Sequence, residues 1–545
     1  MNNEWIIRNQ CLKFDLTMTA PASKEQYRLE QEAFVSNHEG TTPQAVIFTL
    51  LPTIWSIILA ITTVEVLKKY IYIHKNTRVV VEFVLTIIPT ILCCTILSEY
   101  IGSICVIIML VSALNISLVM QKRINCSNLN ITEQPVNDKI PFITNFRALT
   151  NIVTSICILA VDFHIFPRKF AKTEVFGYSL MDTGVGLFIL ANALVAPEAR
   201  DFSTYREASF LKTLTRNMNK CFRSCIPLLI LGFGRFAVVE YVGYQKHVTE
   251  YGVHWNFFIT LAIVKLFTSM ITSTISSKYS YLSGIWILCM HEYTINTKDL
   301  KTWILGDGPR DDFFSANREG LISIPGYVGL YFVGVAIGRF IYSTCHLHAT
   351  SSINLNMKLS FVEMKGQYIG PLPSLYIKLF MISALIYLAI LSCGFKISRR
   401  LANAGYCMWI VVLTTALLSF LVFVQFVIEL VNIANWVSDG DSVWIEYKMK
   451  TTSKNLPVNL KKHEESKKVE NNEDVYRKSL EIFDAVNYNG LFFFLISNVM
   501  TGIVNMLMYT LYVKQSLALL ILIIYMAVNI LSVLILYRLK IPIKL

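Results

Sequence analysis

The chain is predicted to be an all-α, polytopic membrane protein with about thirteen transmembrane helices. Hydrophobic residues make up 54% of its 545 positions and charged residues 16%, against about 25% charged in soluble domains. Its mean hydropathy is +0.50. Apolar runs close to the roughly 20 residues needed to cross a bilayer recur from end to end. A backbone in lipid must satisfy its own hydrogen bonds, so each run reads as a helix.

Residues 1–43 form a polar segment with no cleavable signal pattern, so the first span is expected to act as the signal anchor. The bundle occupies 44–438, with spans at 44–64, 79–98, 101–121, 147–166, 179–196, 223–242, 255–274, 279–293, 323–344, 372–395 and 405–433. The run at 279–293 is the shortest and the weakest. A charged stretch at 439–485, rich in Lys, Glu and Asn, reads as a flexible cytosolic linker. The remaining residues, 486–545, hold two more spans, 490–511 and 516–537, and a short basic tail.

Basic residues crowd the loops after the first, third and fifth spans: Lys68, Lys69, Lys75 and Arg78; Lys122 and Arg123; and Arg200, Arg206, Lys212, Arg216 and Lys220. By the positive-inside rule these loops are cytosolic. An odd number of spans then puts the N-terminus in the lumen and the C-terminus in the cytosol. The formal charge of +12 reflects this loop bias and gives no reason to expect nucleic acid. The twelve Cys lie mostly within spans and lack metal-ligand spacing, so they read as small packed residues. No metal site and no tightly bound cofactor is expected. The sequons at Asn115, Asn125 and Asn130 fall in a span or on the cytosolic side and are expected to be silent.

The most informative stretch is Pro141 to Arg200, two apolar runs joined by a loop crowded with charge. Asp162 closes the first run, Arg168, Lys169 and Lys172 fill the loop, and Asp182 lies in the second. Ionisable groups at membrane depth are costly unless paired or hydrated, which makes them functional candidates. Pro167 disfavours helix in the residue before it, so the first helix should end near Phe166. The chain can then fold back and bring Lys172 to Asp162. Such a pair serves equally well as a catalytic acid–base element or as a structural ion pair at the interface. The loop is basic although parity makes it lumenal, which suggests an anionic group bound there.

Further polar residues within or beside spans are Asn192, Arg235, His254, Asn256, Lys265 and Arg339. His254 and Lys265, eleven residues apart, would share one face of a continuous helix, with Lys265 pointing inward to a substrate phosphate or to an acid such as Glu240. Most of the others serve more often as glue between helices than as ligand contacts. Arg147 and Arg200 flank the hairpin on the expected cytosolic side and suit phosphate recognition, though interfacial snorkelling explains them equally well. Gly184 and Gly186 suggest close helix packing.

The hairpin segments TNFRALTNIVTSICILAVDFHIFPRKFAKTE and MDTGVGLFILANALVAPEAR resemble the inositol acyltransferases of glycosylphosphatidylinositol-anchor synthesis, the phosphatidylinositol-glycan biosynthesis class W family. The similarity extends to QEAFVSNHEGTT at 31–42, GYQKHVTEYGVHWNFFITLAIVKL at 243–266, FFSANREGLISIPGYVGLY at 313–331, SRRLANAGYCMW at 398–409 and NGLFFFLISNVMTGIVN at 489–505. It covers the chain from about residue 30 to the last span. The resemblance implies an O-acyltransferase that moves a fatty acyl group, typically palmitoyl, from acyl-coenzyme A to the inositol 2-hydroxyl of glucosaminyl-phosphatidylinositol in the endoplasmic reticulum membrane. It implies acyl-coenzyme A as co-substrate, with Asp162 as general base and Lys172 orienting it or holding the thioester oxyanion. Arg147, Arg168, Lys169, Asp182, Asn192, Arg200, His254, Asn256 and Lys265 are the candidates for substrate contact. His164 departs from the apolar residue expected there and is a weaker alternative base. The rival classes are a transporter, which should show repeated halves, and a non-catalytic scaffold for lipid-linked intermediates, which would not need Asp162.

Overall fold

A computed structural model describes residues 24–36, 38–119, 130–132, 140–200, 210–242, 248–306, 308–347, 351–359, 362–438 and 479–543. A helix precedes the membrane region, α1 (Lys24–Val35). The crossing helices begin with α2 (Pro43–Lys68), α3 (Lys75–Cys94), α4 (Ile101–Val119) and α5 (Pro141–Ala160). Next along the chain are α6 (Thr183–Ala193), α7 (Phe210–Val242), α8 (Phe257–Thr274), α9 (Ser280–Ile295), α10 (Arg318–Leu347), α11 (Leu372–Cys393) and α12 (Ala404–Ser438). After a short helix α13 (Glu481–Tyr488) come α14 (Gly490–Leu507) and α15 (Gln515–Arg538).

Each of the apolar runs read from the sequence is a helix. Among the described residues, ten are long and apolar enough to cross a membrane by length and composition. The other three are the 11-residue α6, the 33-residue α7 and the 16-residue α9. The fold class is that of a polytopic helical membrane protein. A small sheet, which the sequence reading does not include, pairs β2 (Ser351–Leu359) antiparallel with β3 (Val362–Gly370) and β3 parallel with β1 (Asn130–Thr132). The charged stretch at 439–478 lies outside the described residues.

Alternation along the chain sorts the loops into two ends, and contacts across loops agree with it. At the end carrying residues 161–182, Lys169 pairs with Glu99, Thr41 bridges Tyr178, and Gly177 N–H donates to the Ile397 carbonyl at 3.0 Å. At the far end, Lys69 Nζ donates to the carbonyls of Leu118 and Val119 at 3.0 and 2.7 Å, and Arg538 pairs with Glu481 at 2.9 Å.

α2, α5 and α12 are buried over most of their length, while α4, α11 and α14 bury only a minority of theirs. The core between them is built from residues such as Ile54, Leu149, Ile152, Leu417 and Leu421. Of the two glycines flagged in α6, Gly186 lies against Ile410 so closely that a Cβ would come within 2.7 Å of it. A Cβ on Gly184 would meet nothing nearer than Thr154 at 3.9 Å, so only Gly186 is required by packing. Asn115 is structural as well: its amide donates to Thr63 Oγ1 at 2.9 Å, which ties α4 to α2.

Candidate functional site

The hairpin differs from its expected form at the turn. α5 ends at Ala160, not near Phe166, and Asp162 lies outside the helix. The chain leaves the helix in tight turns, Asp162 N–H to Leu159 and Phe163 N–H to Ala160. The freed carbonyls are collected by one side chain. Arg168 Nη2 donates to Val161, Phe163 and Phe166 at 3.0, 3.1 and 3.0 Å, and its Nε donates to Phe166 at 3.1 Å. Its guanidinium also stacks 3.9 Å over Phe34 of α1. Arg168 is therefore the clamp of the turn. Pro167 begins a short 3-10 turn, Arg168–Phe170, rather than ending α5.

Asp162 is buried at 5% exposure. Its Oδ2 accepts a 2.7 Å hydrogen bond from Asn505 Nδ2, near the end of α14, and Oδ1 has no partner among the described residues. Burial pushes the Asp162 carboxyl up to about 6, against the pull of Asn505, Arg168 and Lys172. The expected Asp162–Lys172 hydrogen bond is absent. Lys172 Nζ donates instead to Glu250 Oε2 at 2.7 Å, because the fold-back carries residues 171–173 towards the 248–251 helix and a nearer carboxylate. Lys172 still acts on Asp162 through its charge.

Glu250 opens a chain of ion pairs. Its other oxygen accepts from Arg399 Nη1 at 3.2 Å, and Arg399 Nε donates to Asp182 Oδ1 at 2.8 Å. Asp182 Oδ2 then accepts from the Thr173 N–H at 3.0 Å and the Thr173 hydroxyl at 2.6 Å. Burial alone would raise Glu250, but Lys172 and Arg399 hold it down at about 2. The same two acids keep Arg399 firmly cationic despite its burial. Asp182 is thus spent on Arg399 and Thr173, which fix the return strand of the hairpin. Beside this chain, Arg400 and Arg310 both pair with the fully buried Glu319, at 3.4 and 2.6 Å.

The remaining candidates disperse. Lys169 pairs with Glu99 at the surface. His164 is exposed, whereas Asp162 is buried, and its ring lies edge-on to Phe34, 4.5 Å between centroids. Asn256 caps α8, accepting from the N–H groups of Phe258 and Ile259 while donating to the Gly232 carbonyl at 2.8 Å. Because Asn256 takes the cap position, His254 lies before the helix and does not share a face with Lys265. His254 gives its backbone N–H to Asn317 and its ring faces Phe236. Lys265 was expected to face inward but is exposed on the surface of α8, since Ala262, Val264 and Thr268 take the buried face. Asn192 is also exposed, some ten residues along the chain from Asp182.

Arg147 is half-buried near the far end of α5, and the charge that acts on it most strongly is that of Arg200. Arg200 Nη2 holds the Val195 carbonyl at 2.6 Å. Both arginines lie at the opposite end of the hairpin from Asp162. Sequence reasoning missed Glu250, Arg399 and Asn505, although all three fall in motifs that carry the family resemblance. The available signal was a polar side chain at or near the end of an apolar run.

The GWT1 family profile matches residues 27–536 of the chain. The chain is 33% identical over 522 residues to the human glucosaminyl-phosphatidylinositol-acyltransferase PIGW, covering 93% of this chain and 97% of that protein. It is also 33% identical over 425 residues to the GPI-anchored wall transfer protein 1 of Saccharomyces cerevisiae, with 76% and 77% covered. An Arabidopsis thaliana protein of unassigned activity is 34% identical over 346 residues. With the profile match running from α1 to the last turns of α15, the chain belongs to the GWT1 family.

Proposed function

We propose that this protein is a membrane-bound acyltransferase that acylates the inositol of glucosaminyl-phosphatidylinositol in glycosylphosphatidylinositol-anchor synthesis. The substrate class is that in the name of the human relative, and the family membership supports it. One observation carries the chemistry: a buried carboxylate, Asp162, with one oxygen held by Asn505 and the other open.

The donor is an acyl-coenzyme A, typically palmitoyl. A thioester suits this site because its thiol leaves with a pKa near roughly 8.5 and needs no strong acid. The demanding step is removal of the proton from the inositol hydroxyl while its oxygen attacks the thioester carbonyl. Asp162 Oδ1 takes that proton. The new C–O bond forms, the C–S bond breaks, and coenzyme A leaves as thiolate, to which the proton is returned. A carboxylate whose proton affinity sits near neutrality is better matched to this task than one tied to a cation. Lys172, held at one corner by Glu250 and still 39% exposed at its side chain, is assigned to the oxyanion of the tetrahedral intermediate rather than to orienting Asp162.

The reaction is assigned to the endoplasmic reticulum membrane, with the Asp162 end lumenal and the far end, where Arg147 and Arg200 await the coenzyme A phosphates, cytosolic. Asp162→Asn expressed in cells without their own inositol acylase tests the reading. Acylated glucosaminyl-phosphatidylinositol should fall at least about a hundredfold at normal protein level, the usual contribution of a general base. Unchanged acylation overturns it.

A further inference from the structure

Asn505 contributes the hydrogen bond to Asp162 from a point 343 residues further along the chain. It lies two residues before the end of α14, and α14 packs directly on α5. The amide is itself held. Its Oδ1 accepts from Thr510 Oγ1 at 3.4 Å, and the Thr510 hydroxyl lies 3.1 Å from Tyr27 Oη on α1. With Oδ1 facing Thr510, the NH2 end faces the carboxylate. The flipped amide would set an oxygen against Asp162, which a carboxylate, an acceptor only, cannot satisfy.

The cations nearby are committed elsewhere. Lys172 is drawn to Glu250, and Arg168 turns its Nε and Nη2 to the carbonyls of the turn, while its buried Nη1 makes no hydrogen bond to Asp162. We infer that Asn505 is the positioning residue for Asp162, fixing the plane of its carboxyl and leaving Oδ1 turned to the acceptor hydroxyl, so that the last two crossing helices belong to the catalytic apparatus. This rests on Asp162 being the base.

A neutral donor is the right partner for that role. It stabilises the carboxylate without the charge pairing that would strip it of basicity. The charged groups acting on Asp162 are Arg168 and Lys172, both from the hairpin itself. The side chains that α14, its following turn and α1 bring into this relay, Asn505, Thr510 and Tyr27, are neutral at physiological pH.

The test uses the full chain in detergent, palmitoyl-coenzyme A and glucosaminyl-phosphatidylinositol, with rates normalised to folded enzyme. Asn505→Leu keeps the volume and apolar surroundings of α14 but removes the donor. Its kcat should fall about tenfold or more with the acceptor KM little changed. The acid limb of kcat/KM should move up by about one pH unit, because the carboxylate has lost a hydrogen bond. Asn505→Ser, a shorter donor, should recover part of both effects. Met506→Ala, at an exposed neighbouring position, should behave as wild type. An Asn505→Leu enzyme with an unmoved acid limb overturns the inference, whether its yield is normal or reduced. Asp162→Asn run alongside separates the two levels: an active Asp162→Asn enzyme removes the base itself, whereas an inactive one beside a wild-type-like Asn505→Leu removes only the positioning role.

Discussion

Asp162 works against the stability of the fold. Its carboxyl is pushed up from 3.8 to about 6 by burial, so the stabilising contribution of its protonated form is complete below 3.8 and is lost as the pH rises through about 6. Above that pH the ionised, buried group costs on the order of 2–3 kcal/mol. Asp162→Asn should therefore raise the detergent Tm relative to wild type at pH 7.5 and leave it nearly unchanged at pH 4. An equal effect at both values would mean that burial is not the cause. With Asp162 as the proposed base, activity should have the opposite sign and rise with pH as its carboxyl ionises near 6. Glu250 runs the other way again. Its carboxyl is held down from 4.5 to about 2, so its pairing with Lys172 and Arg399 is fully present above 4.5 and fades as the pH falls towards 2.

Arg399 is the residue on which the hairpin's return depends. It is 6% exposed and joins Glu250 to Asp182, so Arg399→Ala leaves two carboxylates without their shared cation. A loss of about 3–5 kcal/mol is expected, read as a fall in Tm, since removing one partner of a buried ion pair strands the other. Arg399→Lys should not restore it, because an ammonium lacks the fork that reaches both acids. None of this was legible in the sequence. Asp162 and Lys172 were, since charge inside an apolar hairpin stands out by local contrast. Their partners were not, because Glu250, Arg399 and Asn505 reach the site through contacts between residues far apart in the chain, and a period of 3.6 says nothing about which helix ends meet. The expected Asp162–Lys172 contact failed for the same reason: the competing carboxylate of Glu250 lies 78 residues from Lys172.

At the scale of elements, the turn bearing the site is held by surfaces with little room to adjust. Gly326 in α10 lies so close to the 396–404 loop that a Cβ would sit 2.1 Å from the Ala402 carbonyl oxygen. Backbone cannot yield as a side chain can. Gly326→Ala should push the loop carrying Arg399 and Arg400 off the hairpin, costing at least about 1–3 kcal/mol and lowering activity, although residue 326 touches neither acid. Wild-type Tm and activity in this variant would show that the loop moves freely. The crossing helices were legible because the bilayer imposes length and hydropathy on each of them. Their ends were less so. α5 starts at Pro141, six residues ahead of its apolar run, because proline is well suited to the first turn of a helix. It stops before Asp162 because Arg168 supplies donors to the turn that follows.

For the whole molecule, crossing by all thirteen apolar helices, as the sequence predicts, would place Tyr72 and Asp311 at opposite ends. In a background lacking Cys289 and Cys393, which are exposed among the described residues, and also Cys11 and Cys126, Tyr72→Cys should react with an impermeant maleimide from the cytosolic face of sealed microsomes, and Asp311→Cys only after permeabilisation. Labelling of both from one face would refute the alternation. The positive-inside bias predicts this arrangement, since it favours a cytosolic position for a loop as basic as 68–78.

The hydrogen bond between Asn505 and Asp162 also sets an order in time. A ribosome delivers α5 and its turn to the membrane long before it delivers α14. Through that interval Asp162 is a carboxyl group awaiting its donor, and the nascent bundle carries an open acidic defect at one end. Completion of the last hairpin closes it. A chain halted before α14 would lack the Asn505 donor, so the polar surroundings of Asp162 are complete only when the last helices are in place.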